Sequence, residues 1–147
     1  MFDDRVKPGN VTVVGLGYVG LPLALAFSME LPTTGLDVDV SRVEELRVGH
    51  DRNREVAEEA ITSSNLTFTA DASCIADAEF IVVTVPTPVT EEHKPDLSLL
   101  ESASTLIGVQ LRDRSEGLPP PVVVYESTTY PGCAEVNRPG FHGDSVC

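Results

Sequence analysis

The chain has no tryptophan, only three cysteines and three histidines, and ten lysines and arginines against 23 aspartates and glutamates. Each shortage excludes something. Cys74, Cys133 and Cys147 are odd in number, widely spaced and without a C-x-x-C pair, so no disulfide framework is expected and reduced thiols are. His50, His93 and His142 are equally scattered, and no metal-ligand spacing emerges from them. A formal net charge of −13 repels a phosphate backbone and argues against a nucleic-acid partner. No apolar run reaches the roughly 18 residues of a membrane span. The polar opening "MFDDRVKPGN" lacks the apolar stretch of a secretory signal. A single cytoplasmic domain, long enough at 147 residues to bury a sizeable core, is therefore expected.

What the sequence does contain is an alternation of β-branched runs with helical stretches. Strands are expected over 11–15, 34–37, 66–69, 80–85 and 122–127, the most apolar being "FIVVTV" at 80–85. Helices are expected over 19–29, from a cap at Ser41 to about 48, over 55–60, and from Asp96 to about 111. A brief helix capped by Asp71 or Ser73 lies between. The segments "PTPVTEEHKP" and "RSEGLPPP" read as loops. Strands separated by helices imply a parallel sheet with right-handed crossovers, a doubly wound α/β fold in three α/β/α layers. The tail from Asn137 has no usable periodicity.

The stretch "VTVVGLGYVGLPLALAF" places Gly15, Gly17 and Gly20 between a predicted strand and a predicted helix. In that setting the first glycine allows a tight turn, the second lets backbone approach a pyrophosphate, and the third lets the helix pack on the sheet. The helix start then offers unpaired N–H groups to an anion, which suits a chain poor in lysine and arginine. Asp37 follows Gly15 by 22 residues at the end of the second strand, where a carboxylate accepts the adenosine ribose hydroxyls and repels a 2′-phosphate. NAD is thus expected over NADP. Asp39 competes for that role, and Arg42 stands where it could stack on the adenine or reach a phosphate. "VPTP" (85–88) and "ESTTYPG" (126–132) follow the next two strands at the carboxyl edge, where the nicotinamide half belongs; read alone, each is as consistent with an ordinary loop.

Taken together, "VVGLGYVGLPLA", "GLDVDVSRV", "VTVPTP", "PDLS" and "ESTTYPG" resemble the amino-terminal domain of the UDP-glucose/GDP-mannose 6-dehydrogenase family. "GHDRNREV" and "VPTPVTEEHKPDLS" look most like the branch acting on UDP-N-acetylhexosamines for capsule and O-antigen sugars. The resemblance implies a Rossmann-like NAD-binding domain over 1–136, an irregular tail over 137–147, and a two-step NAD-dependent oxidation of a sugar C6 alcohol to a carboxylate. It implies that Gly15, Gly17 and Gly20 form the phosphate loop with Tyr18 and Val19 as backbone donors. By the same likeness Asp37 is the ribose ligand and Arg42 the basic position near the adenosine. Thr87 and Thr128 would flank the nicotinamide, with Thr128 also positioning the catalytic water.

The family's nucleophilic cysteine, with its lysine and aspartate, belongs to later segments without a counterpart here. Cys133, in the "YPGC" turn and without a base partner, is accordingly not expected to be catalytic, and Cys74 is expected in the core. The resemblance stops after Val136, so the chain is expected to be a shortened piece of the family architecture, inactive alone. NAD, and a UDP-sugar in the longer protein, are the implied partners. Relatives pair mainly through a central helix missing here, so any homo-oligomer of this chain would use another surface. The alternative is a non-catalytic NAD-sensing regulatory module, which has no need of the "VPTP" and "STTYPG" loops. A 3-hydroxyacid dehydrogenase lacking its helical domain is disfavoured by the same motifs.

Overall fold

The computed structural model describes residues 9–127. Five short strands, β1 (Val11–Val14), β2 (Thr33–Leu36), β3 (Thr67–Thr69), β4 (Phe80–Val83) and β5 (Val122–Tyr125), form one parallel sheet in the order β3-β2-β1-β4-β5. The chain winds outward from β1 to β3, returns to β4 beside β1 and winds out again. That reversal is the switch point at which a doubly wound sheet leaves a crevice beyond its strand ends.

Alternation along the strands builds a core on each face. Val11, Val13 and Val82 point to one side, where they pack with Leu21 and Ala24 of α1 (Gly20–Ser28), Val43 and Leu46 of α2 (Val40–Arg47), and Ile61 of α3 (Glu58–Thr62). Val14, Leu36, Ile81 and Val83 point to the other, against Leu100, Ala103 and Ile107 of α4 (Ser98–Leu111). The side-chain period of two thus divides β-branched residues between two helix layers, and the doubly wound three-layer fold is present as expected. Among the described residues, no helix is long and apolar enough to cross a membrane.

Local chemistry shifts several boundaries. The cap of α2 is Asp39 rather than Ser41: its carboxylate accepts the N–H groups of Ser41 (3.0 Å) and Arg42 (3.2 Å), and Ser41 lies inside the helix. Of the two candidates for the brief helix, Asp71 is the cap, accepting the Ser73 N–H at 2.9 Å ahead of the 3₁₀ turn Ala72–Ile75. The start of α4 moves two residues past Asp96, whose carboxylate takes the Ser98 N–H at 2.9 Å. Helix α3 begins at Glu58, beyond the expected 55, because the preceding backbone is wrapped around Asp51.

Candidate functional site

The ends of β1 and β4 open into a cleft with two lobes. One, about 280 Å³, is lined by the glycine loop, Asp37, Val38 and the α4 residues Leu99, Ser102, Ala103 and Leu106. The other, about 250 Å³, is lined by Tyr18, Val19, Thr87, Glu126 and Ser127. Gly17, Thr84, Val85 and Pro86 border both. The glycine loop is therefore the sill between two halves of one elongated site.

The three glycines serve different ends. Gly15 has φ +96°, a left-handed conformation that a side chain resists. A Cβ on Gly20 would run into the Gly15 carbonyl and come within 2.5 Å of Thr84 Oγ1, so the helix could not approach the sheet. A Cβ on Gly17 would meet nothing within 4 Å. The fold therefore has no need of glycine at 17. The empty space beside it is room for something that must touch the backbone.

The backbone is prepared for that contact. Helix bonding starts with Leu21 N–H to Gly17 O at 3.3 Å and continues with Leu23 N–H to Val19 O at 3.2 Å. Among the described residues, no protein acceptor takes the N–H of Gly17, Tyr18, Val19 or Gly20. No side chain caps α1, and Pro22 adds no donor in its first turn. Tyr18 and Val19 are both largely exposed. Unpaired N–H groups at a helix start form an anion site.

Asp37 stands at the end of β2 beside this loop. Its Oδ2 accepts the Leu16 N–H at 2.8 Å and its Oδ1 accepts the Asp39 N–H at 3.0 Å. Two backbone donors orient the carboxylate, and each oxygen keeps acceptor capacity for a further donor such as a ribose hydroxyl. Asp39 is occupied otherwise: it caps α2 and pairs with Arg52 at 3.0 Å. Those bonds, led by the Arg42 N–H, hold its carboxyl below the ordinary range.

Arg42, expected near the adenosine, is 4% exposed. Its Nε and Nη2 fork the Leu16 carbonyl at 3.0 and 2.9 Å, and Nη2 also pairs with Asp51 at 2.8 Å. It lies beneath the loop. Burial opposes charge on Asp51, but the Arg42 bond and the N–H groups of Asn53, Glu55 and Val56 outweigh it and hold that carboxyl below the ordinary range. Asp51 and Thr84 have roles that sequence reading did not assign. Thr84, nearly buried, donates Oγ1–H toward Val14 O (3.0 Å) and Gly15 O (2.7 Å), fixing the turn from the β4 side. The "GHDRNREV" motif that holds Asp51 was legible, but its pairing with a residue nine positions back was not.

On the nicotinamide side expected from the sequence, Thr87 and Glu126 line the second lobe, and Ser127 Oγ donates to Val85 O at 2.6 Å, tying the two loops together. Thr128 and Cys133 lie outside the described residues. Cys74 is half-buried against the second core, its thiol pushed up to about 11 by burial and by the Asp71 charge.

The arrangement has counterparts. Residues 9–140 match the UDP-glucose/GDP-mannose dehydrogenase family, NAD binding domain. The chain is 42% identical over 126 residues to Protein CapL of Staphylococcus aureus, covering 86% of this chain and 28% of that protein. It is 43% identical over 131 residues to a UDP-N-acetyl-D-glucosamine 6-dehydrogenase of Pseudomonas aeruginosa, covering 88% and 30%. A UDP-glucose dehydrogenase structure from Pyrobaculum islandicum superposes with a TM-score of 0.77 at 29% identity, over 90% of this chain and 32% of that one. The chain thus spans under a third of the length of these relatives. By fold, glycine loop and family match, it belongs to the UDP-glucose/GDP-mannose dehydrogenase family and corresponds to its NAD-binding domain.

Proposed function

We propose that this chain is the cofactor-holding part of a cytoplasmic nucleotide-sugar 6-dehydrogenase, one that oxidises the C6 alcohol of a UDP-N-acetylhexosamine or UDP-glucose to the uronic acid for capsule or O-antigen polysaccharide. The observation that carries this reading is the unspent N–H run of Gly17 to Gly20 beside the oriented Asp37 carboxylate. Sequence identity to UDP-N-acetylhexosamine dehydrogenases supports the substrate class.

The residues present fit NAD. The N–H groups of Gly17, Tyr18, Val19 and Gly20 would hold the pyrophosphate, with the open space at Gly17 admitting it. Asp37 would hold the adenosine ribose. The lobe lined by Thr87 and Glu126 would take the nicotinamide half. Once bound, the dinucleotide supplies the hydride acceptor for an alcohol oxidation. Thr128 keeps the role of positioning water that the family likeness gives it. Arg42 holds the loop in shape from beneath, and Thr84, which borders both lobes, fixes the turn from the β4 side.

The family likeness places the nucleophile outside the matched stretch, and the chain spans under a third of its relatives' length. On this reading these residues alone do not turn over, and the UDP-sugar is a substrate of the complete enzyme. Calorimetry on the 147-residue chain tests the first part: NAD binds, and NADP binds more weakly. Incubation with NAD and UDP-N-acetylglucosamine tests the second, and no NADH forms. Equal affinity for the two dinucleotides would remove Asp37 from its role. NADH production by this chain would overturn its incompleteness.

A further inference from the structure

Leu16 of the glycine loop is constrained from three directions. Its side chain is fully buried, and a Cβ on Gly35 would come within 2.9 Å of its Cδ2. Its N–H is held by Asp37 and its carbonyl by the Arg42 fork. Both ends of this residue's backbone are thus fixed immediately before Gly17, where the unspent donors begin. Arg42 is in turn fixed by Asp51. The Asp51 carboxylate accepts Arg42 Nη2 and also the N–H groups of Asn53 (3.1 Å), Glu55 (2.8 Å) and Val56 (3.1 Å). It is 6% exposed.

We propose that Asp51 is a positioning residue for dinucleotide binding: acting through Arg42 on the Leu16 carbonyl, it sets the direction in which the Gly17–Gly20 N–H groups point. The inference rests on the reading of the cleft as an NAD site. Preorganised donors bind an anion well because their orientation cost is met during folding. A fork of two N–H groups on one carbonyl restricts that peptide's rotation more than a single ammonium contact could. Asp51 gives the fork a fixed base, since it is anchored by three backbone donors of its own segment. In this way "GHDRNREV" is coupled to a loop more than 30 residues earlier in the chain.

The same helix provides a control. Arg47 forks the Phe68 carbonyl through Nε (3.1 Å) and Nη2 (2.9 Å), the same device applied to β3 instead of the loop. Kd for NAD is measured by calorimetry on the parent chain, Asp51→Asn, Arg42→Lys, the double variant and Arg47→Lys, at a temperature where circular dichroism shows each folded. Amide exchange of Leu16 to Gly20 is followed without ligand. Asp51→Asn and Arg42→Lys each weaken NAD about tenfold, as expected for losing one charged bond in a network. The double variant is no weaker than either alone, because both act through one chain of contacts. Leu16 N–H exchange accelerates in both single variants, and Arg47→Lys lowers the melting temperature with Kd within twofold of the parent.

If Arg42→Lys alone moves Kd, Arg42 touches the ligand directly and the proposal is overturned. It is equally overturned if Arg47→Lys weakens NAD as much as Asp51→Asn, which would make the effect one of general stability. If the parent chain itself does not bind NAD, the cofactor reading falls together with the proposal. If the parent binds and Asp51→Asn binds equally well, the proposal falls alone.

Discussion

The Asp37 carboxylate accepts the Leu16 N–H at 2.8 Å, joining the end of β2 to the glycine loop across the first crossover. One side chain therefore both shapes the loop and faces the ligand. Asp37→Ala removes a charged acceptor from the ribose and releases Leu16. A loss of about 2 kcal/mol in NAD affinity is expected, roughly thirtyfold in Kd. NADP changes far less, since the lost charge also repelled its 2′-phosphate. Calorimetry with both dinucleotides should show the preference for NAD narrowing; a uniform loss would mean that Asp37 does not discriminate.

Gly17 and Gly20 separate binding from folding. Gly20→Ala forces a methyl group against the Gly15 carbonyl and Thr84, and overpacking of this kind costs about 1–3 kcal/mol. Gly17→Ala meets no atom within 4 Å, so unfolding free energy should stay within about 0.5 kcal/mol of the parent. The same methyl group fills the space reserved for the pyrophosphate, and NAD affinity should fall by at least about tenfold. Urea unfolding and calorimetry on both variants check this. A Gly17→Ala chain that binds NAD normally would place the pyrophosphate elsewhere.

The parts of this site visible in the sequence were those set by backbone requirements. Glycine spacing, the acid 22 residues on and the β-branched runs each answer to a local rule, and their positions held to within a few residues. The sequence could not show how side chains are shared out once the chain has folded. Ser41 and Asp39 are both good caps, and geometry gave the position to Asp39. Arg42 sits five residues after Asp37, and its buried partner Asp51, nine residues further on, holds it under the loop. That competition is a tertiary effect with no periodicity to reveal it.

Cys74 is shielded, and its chemistry should show it. With its thiol pushed up to about 11, only about one part in a thousand is thiolate at pH 8. Alkylation of the folded chain followed by peptide mapping should leave Cys74 unmodified until denaturant is added, and Cys74→Ala should leave NAD affinity unchanged. Rapid modification in the native state would show that this thiol is not the inert core group the packing makes it.

Asp51 also predicts a pH dependence. Its carboxyl is held below the ordinary range in the folded chain, against about 3.9 when unfolded. A depressed folded value gives stability that is present above the unfolded pKa and disappears as pH falls through the folded one. Asp51→Asn removes that contribution and leaves Arg42 buried without its counter-charge, at a cost of about 3 kcal/mol at pH 7. The difference in unfolding free energy between parent and variant should stay constant from pH 7 to about 5. It should narrow below about 4, where Asp51 of the unfolded parent takes up a proton before the folded one does, until the folded residue is protonated as well. Urea titrations across this range measure it directly. A gap of unchanged size down to the acid unfolding limit would mean that folding leaves the proton affinity of Asp51 unchanged, and that the pair with Arg42 does not favour its charged form.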